Sequence, residues 1–446
     1  MPTRLVSFLG LGPKAEPPHY SPTRYELDGR SSTETPLMER ALCDLLDVGS
    51  IVVLGTSAVN TRWFDSGLFA QLMSEGEKGR PAPEALFKLL EPGKSKQELW
   101  SIFECLTEAL TAAMIEEAGE REPPTEIVLD VTHGFRIQPL FGMAALDFVL
   151  SEWARDRENV PRPPSIRVVY GAWEARNQQE NLAPIWDLTE FVTASRWNAA
   201  IDALMRYGRA DDFEQLAMVD SKQRVERAQQ RGVSGKELGA EGFAKHIGKA
   251  ARAFADDLAT VRLRDTLTKS SVKLHQVLSD PAAERFAEQL PQIKPALERL
   301  RAWVEPLCSE RTLDRSGLRA TAHLASLLGR LQQFAAQAAV VREGLVTHFD
   351  LESGNDPLPE PGGGFPENQR AEADTRWGDA GTSYKGGNRH FPPKLLENAE
   401  LSQLAFNARN DIEHGGLRSN PSDAASLREQ LGKMKDAFER LVLSDD

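Results

Sequence analysis

Apolar positions follow two different patterns along the chain. Up to about residue 192, short apolar runs rich in β-branched residues alternate with longer segments of helical periodicity. The predicted strands are Leu5–Leu9, Ile51–Leu54, Ile127–Val131 and Ile166–Tyr170, and the predicted helices are Glu34–Leu46, Gln97–Glu116 and Arg136–Arg155. Such alternation is typical of a parallel sheet with helices on its faces, so we predict an α/β Rossmann-like domain over residues 1–192.

From residue 193 onward the strand signal fades, and apolar residues recur every three or four positions among Ala, Leu, Arg, Glu and Gln. We therefore predict an all-α domain over residues 193–446. Its expected helices include Arg196–Arg206, Glu241–Leu278, Ala282–Leu307, Leu318–Glu343, Lys394 to about Glu413, and a last helix ending at Leu443. Residues 350–393 contain 14 Gly or Pro among 44 positions, which predicts a long loop or disordered insertion.

Unusual residues follow three of the predicted strands. They are Gly10, Leu11 and Gly12 after the first, Thr56 and Ser57 after the second, and Asp130, Thr132, His133, Gly134, Phe135 and Arg136 after the third. Carboxyl ends of parallel strands meet at one edge of a sheet, where free N–H groups bind phosphate-bearing ligands. The alternative is that Asp130 and Thr132 only satisfy turn amides and His133 is a surface histidine. A redox dinucleotide is not favoured, because Gly10 and Gly12 stand without the rest of its glycine fingerprint.

A second group of polar residues ends the helix that is predicted from Lys394. Its apolar stripe comprises Leu401, Leu404, Ala405, Ala408 and Ile412. Outside the stripe, Asn410 and His414 are four residues apart and share a face, and Arg409 precedes them. A cation beside a group that moves protons near neutral pH is the minimum for RNA cleavage by its own 2'-hydroxyl. The alternative is an exposed Arg409–Glu413 pair with a histidine favoured by the helix dipole.

Charge and composition exclude several classes of protein. Of the 446 residues, 53 are basic and 66 acidic, and the excess of acid lies in residues 1–192, which hold 18 basic and 29 acidic residues. A face that coats duplex DNA is therefore not expected. No run reaches the ~18 apolar residues of a membrane span, and the amino terminus makes a poor signal peptide, so we expect a cytoplasmic protein without a membrane partner. Three scattered cysteines predict neither disulfides nor a metal site.

The order of these motifs resembles that of the CRISPR-associated CARF-HEPN ribonucleases of type III systems, in particular a subgroup marked by a DxTHG motif. The matching residues in the first domain are Ser7–Gly12, Gly55 and Thr56 with Ala58 and Trp63, Asp130–Arg136, and Tyr170–Ala172. At the far end, Arg409 to His414 fits the family pattern R-x(4–6)-H. The chain departs from relatives at Leu11, where a small hydroxylated residue is common.

The resemblance implies a sensor domain for a cyclic oligoadenylate, with the tetra-adenylate favoured over the hexa-adenylate, and a HEPN-like ribonuclease that needs no metal or other cofactor. Arg409 would stabilise charge on the scissile phosphate of single-stranded RNA, His414 would exchange protons and Asn410 would orient the reacting groups. Each chain contributes one such set, so a homodimer or higher homo-oligomer is expected. Two alternatives are a sensor whose helical domain binds a partner without catalysis, and a first domain that degrades its own activator.

Overall fold

The chain folds into two compact units, Met1–Thr193 and Ala194–Asp446. The structure, a computed structural model, describes residues 3–13, 20–74, 83–114, 126–134, 137–155, 165–230, 232–355, 367–387, 390, 392–415, 417 and 421–443. Two predicted site residues, Phe135 and Arg136, lie outside the described residues.

The first unit contains a mixed sheet in the order β3-β2-β8-β7-β6-β1-β4-β5. Its strands are β1 Thr3–Phe8, β2 Arg24–Leu27, β3 Arg30–Ser31, β4 Val48–Gly55, β5 Glu84–Leu89, β6 Glu126–Asp130, β7 Ser165–Gly171 and β8 Leu182–Asp187. The five strands from β7 to β5 are parallel, and four of them, β1, β4, β6 and β7, are the predicted strands. The outer strands make the sheet mixed, because β8 runs antiparallel to β7 and β3 antiparallel to β2.

Alternate side chains of the central strands enter two separate cores, which explains why the strands read as continuous apolar runs. Leu5, Ile51, Val53 and Val128 pack on one face with helices α1 (Met38–Leu45) and α3 (Leu68–Ser74). Val6, Phe8, Leu54 and Leu129 pack on the other with α4 (Lys96–Met114) and α5 (Ile137–Arg155). A short helix α2 (Ser57–Val59) follows β4 and continues as a π-helical turn, Asn60–Asp65.

The described part of the second unit is helical. Its helices are α6 Thr189–Tyr207, which begins in the first unit, α7 Asp211–Gln230, α8 Gly235–Glu241, α9 Ala244–Ala259, α10 Leu263–Asp265, α11 Ser271–Leu278, α12 Pro281–Gln289, α13 Lys294–Val304, α14 Arg315–Arg330, α15 Phe334–Glu352, α16 Glu367–Lys385, α17 Pro393–Glu413 and α18 Ala424–Leu443. Acidic caps start two of them: Asp280 accepts from Ala282 N, and Asp314 accepts from Gly317 N at 2.8 Å. The prediction of an α/β domain followed by an all-α domain is thus confirmed.

The prediction of a loop over residues 350–393 was wrong in two places. Helix α15 continues to Glu352, and helix α16 occupies Glu367–Lys385. The Gly and Pro residues of this stretch gather on either side of α16, at positions 354–366 and 386–393, and only Gly378 and Gly381 lie inside it. The prediction averaged the Gly and Pro content over all 44 residues, and this average concealed the helix between the two clusters. Trp377 of α16 is buried, and its Nε1 donates a hydrogen bond to Asn398 Oδ1 of α17 at 2.7 Å.

Candidate functional site

The carboxyl ends of β1 and β6 flank the point where the order of the parallel strands reverses. From β1 the chain proceeds to β4 and β5 on one side, and then returns to β6 and β7 on the other. A cavity of about 260 Å³ lies at these strand ends. Its lining comprises Leu9, Gly10, Leu11, Gly12, Tyr20, Thr56, Val59, Gly134 and Gln138. Ligands of open α/β sheets bind at such a reversal, so the topology alone marks this cavity as a candidate site.

Two glycines of the lining occupy positions that other residues would not tolerate. Gly12 has φ +71° and Gly134 has φ +107°. A Cβ atom at Gly134 would lie 2.8 Å from Gln138 Oε1 and 3.1 Å from Phe8 Cβ. These glycines leave main chain, rather than side chains, facing the cavity, which suits a ligand that is held by backbone amides.

The turn after β6 is built on Asp130, whose side chain is fully buried. Its Oδ1 accepts a hydrogen bond from Thr132 N at 2.9 Å and another from the Thr132 hydroxyl. Thr132 Oγ1 in turn accepts from Gly171 N at 2.7 Å, at the end of β7. The Thr132 hydroxyl is therefore engaged within the protein, and it fixes the turn that carries His133 and Gly134.

Beneath this turn, one hydroxyl joins two buried carboxyl groups. Ser7 Oγ lies 2.8 Å from Asp130 Oδ2 and 2.9 Å from Glu39 Oε1. Burial raises the pKa of Asp130 to about 6, and burial together with the charge of Asp130 raises the pKa of Glu39 to about 8. The Ser7 hydroxyl has one proton and can donate it to only one of the two carboxyl groups, so the other carboxyl group must carry a proton of its own to donate to Oγ. Because the pKa of Glu39 is the higher of the two, Glu39 is the group that is protonated at pH 7.

The His133 ring stacks on Tyr20, with ring centroids 4.1 Å apart and planes 9° from parallel. Its Nε2 atom is buried and has no hydrogen-bond partner. Burial lowers the pKa of His133 to about 4, so the imidazole is neutral at pH 7. A neutral ring can stack on a base or share one hydrogen bond, but it supplies no positive charge for a phosphate.

The remaining predicted residues of this domain divide into two groups. Gly10, Leu11, Gly12, Thr56 and Gly134 line the cavity, whereas Asp130, Thr132 and His133 support it from outside its lining and Ser57 is exposed on α2. Sequence reasoning missed Leu9, Tyr20, Val59 and Gln138 as members of the lining. Val59 and Gln138 could have been found because each lies within five residues of a predicted site residue, but Tyr20 has no such signal.

In the second unit, Arg409, Asn410 and His414 lie at the carboxyl end of α17. Arg409 and Asn410 are half-buried in the last turn of the helix, and His414, the residue that follows its end, is exposed. His414 N donates to the Asn410 carbonyl oxygen at 3.0 Å, and Gly415 ends the helix with φ +56°. Of the predicted stripe, Leu401, Ala405 and Ala408 are buried, and Leu404 and Ile412 pack against the core at partial burial.

Asp411, which sequence reasoning passed over, fixes this helix end. Its side chain is buried, and its Oδ2 accepts from Ser422 N at 2.9 Å. That bond ties the end of α17 to the segment that leads into α18. Its Oδ1 is buried without a hydrogen-bond partner. Asp411 thereby holds the backbone between Asn410 and His414 in place.

Within the described residues, no group of three or more His, Cys, Asp or Glu side chains is arranged to hold a metal ion. In the same part of the chain, every helix is too short or too polar to cross a membrane.

Comparisons with known proteins agree with the motifs. A CRISPR-associated protein of Methanocaldococcus jannaschii, MJ1674, is 28% identical to the chain over 142 residues, which are 32% of this chain and 20% of that protein's length. No family model matches the chain. The solved structure of Enterococcus italicus Csm6 bound to cyclic hexa-2'-fluoro-hexa-dAMP aligns over 100% of this chain and 94% of its own, with 12% identity and a TM-score of 0.44, a similarity too weak to support an argument. The sequence match confirms the resemblance of the chain to CRISPR-associated proteins, whereas its place in the DxTHG subgroup stays a prediction.

Proposed function

We propose that the chain is a single-stranded RNA endoribonuclease of type III CRISPR defence that a cyclic oligoadenylate activates through the first unit. The observation that carries the proposal is the cavity at the ends of β1 and β6, whose lining includes Gly10, Gly12 and Gly134. Main-chain amides can hold phosphates in a unit whose net charge is negative, because they add partial positive charge without basic side chains.

The size of the cavity indicates how the activator is held. A volume of about 260 Å³ lies below the ~300–1,000 Å³ typical of pockets for drug-sized ligands, whereas a cyclic tetra-adenylate contains four nucleotides. One cavity therefore holds only part of the ring. A symmetric ring that lies across a two-fold axis would place equivalent nucleotides in the cavities of two copies of the chain.

An exposed apolar surface on the first unit supports such pairing. Leu140 and Phe148 of α5 and Trp100 of α4 are 65%, 49% and 59% exposed. Leu140 lies on α5, the helix whose buried Gln138 lines the cavity. Exposed apolar groups gathered on neighbouring helices are typical of protein interfaces. The partner we propose is a second copy of the chain.

In the second unit, the proposed chemistry is transesterification within the RNA. The ribose 2'-oxygen loses its proton and attacks the adjacent phosphorus, and the 5'-oxygen leaves with a proton. The products carry a 2',3'-cyclic phosphate and a 5'-hydroxyl. Arg409 stabilises the charge that develops on the phosphoryl oxygens, His414 exchanges the protons, and Asn410 orients the reacting groups. No redox or group-carrier chemistry is needed for this reaction.

One observation favours a second candidate, a sensor whose helical unit binds a protein partner without catalysis. Phe406 and Leu417, which flank Arg409 and His414 in sequence, are 54% and 91% exposed. Exposed apolar groups beside an arginine are typical of protein-binding surfaces. If the helical unit only binds a partner, replacing His414 would leave the function of the sensor unchanged.

Cleavage of labelled single-stranded RNA separates the two candidates. Purified protein should cut the RNA when cyclic oligoadenylates are added, in excess EDTA, and Arg409→Ala or His414→Ala should lower the rate by at least about 100-fold. Arg440→Ala on α18 and His323→Ala on α14 are matched controls, because both side chains are exposed in the same unit. Cleavage by the Arg409→Ala and His414→Ala variants at the rate of the parent protein would refute the proposal.

A further inference from the structure

Three aromatic rings form a column beside the cavity, and Tyr20 is the middle one. Its ring centroid lies 4.1 Å from that of His133 and 6.0 Å from that of Trp63, with interplanar angles of 9° and 16°. Rings in near-parallel planes are the arrangement in which proteins hold flat aromatic ligands, including nucleobases.

The outer rings of the column are fixed by the fold. Trp63 is fully buried, and its Nε1 donates to the Gly10 carbonyl oxygen at 2.9 Å. His133 stands on the turn that Asp130 and Thr132 hold. Tyr20, by contrast, is only half-buried and lies in an irregular segment before β2. It packs at the edge of the core and belongs to no strand or helix, so its displacement requires no strand or helix to move.

The Tyr20 hydroxyl lies against the glycine turn. Main-chain amides of Gly10 and Gly12 donate to its oxygen, and a Cβ atom at Gly10 would lie 2.6 Å from it. Burial, together with the nearby charge of Glu39, nonetheless raises the pKa of Tyr20 to about 12, so the side chain is a neutral phenol at pH 7. These amides belong to the turn that the proposed function assigns to the activator phosphates.

We propose that Tyr20 holds the place of one adenylate of the activator, with its ring where the adenine base would stack on His133 and its oxygen where a phosphate oxygen would accept from the glycine turn. The inference rests on the proposed function and adds the manner of binding. The free protein satisfies its aromatic and N–H groups with Tyr20, and the activator must displace this side chain. Ligands without an aromatic base gain the N–H contacts but lose the stack, which favours adenylates over inorganic phosphate.

Displacement predicts that removing Tyr20 strengthens binding. In calorimetric titrations with cyclic tetra-adenylate and cyclic hexa-adenylate, Tyr20→Ala should bind about 2- to 12-fold more tightly than the parent, the range that corresponds to the loss of one aromatic pair. Tyr20→Phe, which keeps the stack and loses the hydroxyl, should show a smaller gain. In the Tyr20→Ala background, His133→Ala should weaken binding by about 5- to 150-fold, because the base loses its stacking partner. Tyr207→Ala, an exposed tyrosine of α6, should bind like the parent.

The possible failures are distinguishable. If the parent binds a cyclic oligoadenylate and both Tyr20 variants bind it equally or more weakly, Tyr20 contacts the ligand rather than standing in its place, and this inference is wrong while the proposed function survives. If neither the parent nor any variant binds a cyclic oligoadenylate, the proposed function fails and the inference fails with it.

Discussion

The carboxyl groups of Glu39 and Asp130 make the stability of the first unit depend on pH. Both have raised pKa values, about 8 and about 6, because both are fully buried. In the unfolded chain they titrate near 4.5 and 3.8. Between the unfolded and folded pKa of each group, the folded protein holds a proton that the unfolded chain has released. The free energy of unfolding therefore falls as pH rises through that window, by about 1.4 kcal/mol per pH unit and group, and levels off above about pH 8.

Replacing Glu39 by Gln should remove the larger part of this pH dependence. Glutamine can still hydrogen-bond to Ser7, but it has no proton to lose, so the variant should exceed the parent in urea-unfolding midpoint at pH 8 and match it near pH 4.5. Glu26→Gln, an exposed residue of β2, is the control and should follow the parent at every pH. Parallel pH profiles for Glu39→Gln and the parent would show that Glu39 does not hold the proton.

Thr132 should act on stability rather than by touching the activator. Its hydroxyl joins Asp130 to Gly171 N, so Thr132→Val, which keeps the shape and removes the hydroxyl, leaves a buried amide without a partner and should cost about 1–3 kcal/mol. Thr132→Ser keeps both bonds and should cost less. The difference between the two urea midpoints measures the effect, and equal midpoints would place the hydroxyl outside the structural network.

Single residues also limit what the sequence could predict. Apolar runs and the DVTHG turn predicted the strand ends and most of the cavity lining, because these depend on local pattern. The place of Tyr20 depends on contacts with Trp63 and His133, which are distant in sequence, so no local signal marks it. Helix ends at Val261 and Gln332, where φ is positive without glycine, were missed for a similar reason: tertiary packing imposes a conformation that these residue types rarely adopt.

At the scale of elements, four of the eight strands, β2, β3, β5 and β8, escaped prediction, and for β8 and β5 the reasons are identifiable. β8 contains Pro184, which argues against a strand in a pattern analysis, and β5 is an edge strand with Leu86 and Leu89 exposed rather than inward. β8 lies outside the group of five parallel strands, and β5 is the edge strand of that group, so neither is a neighbour of β1 or β6. The part of the sheet that positions the site was therefore the part that the pattern described best.

Helix α16 offers a matched pair of glycines that tests its packing on α17. A Cβ atom at Gly381 would collide with Ser402 Oγ, whereas one at Gly378 would meet nothing within 4 Å. Gly381→Ala should therefore lower the free energy of unfolding by roughly 1–3 kcal/mol, and Gly378→Ala should raise it by about 0.5–1 kcal/mol, because alanine favours the helix. Thermal unfolding of the two variants gives the comparison. A stabilising Gly381→Ala would mean that α16 and α17 do not meet there.

The exposed face of α5 should decide whether two copies associate. Leu140→Asp places a charge at the centre of the proposed contact, so light scattering should show a shift toward the mass of one chain at micromolar concentration. Met218→Asp on α7, at a position that is 42% exposed, should leave the mass unchanged. A variant Leu140→Asp that keeps the mass of the parent would move the contact elsewhere.

At the scale of the whole molecule, the proposal joins two sites in separate units. An activator can raise nuclease activity only if it binds the RNA-competent state more tightly than the resting one. A coupling of about 1–3 kcal/mol corresponds to an increase of roughly 5- to 150-fold in the ratio of competent to resting states.

The most direct test is the initial rate of cleavage of single-stranded RNA as a function of cyclic tetra-adenylate concentration, for the parent, for Tyr20→Ala and for the double variant Tyr20→Ala/His133→Ala. The account predicts a saturable rise in the parent and in Tyr20→Ala, and a curve for the double variant that is shifted to higher activator concentration than that of Tyr20→Ala and reaches the same plateau. A parent rate that does not respond to any cyclic oligoadenylate, or coinciding curves for Tyr20→Ala and the double variant, would contradict the claim that the cavity beside His133 controls the ribonuclease.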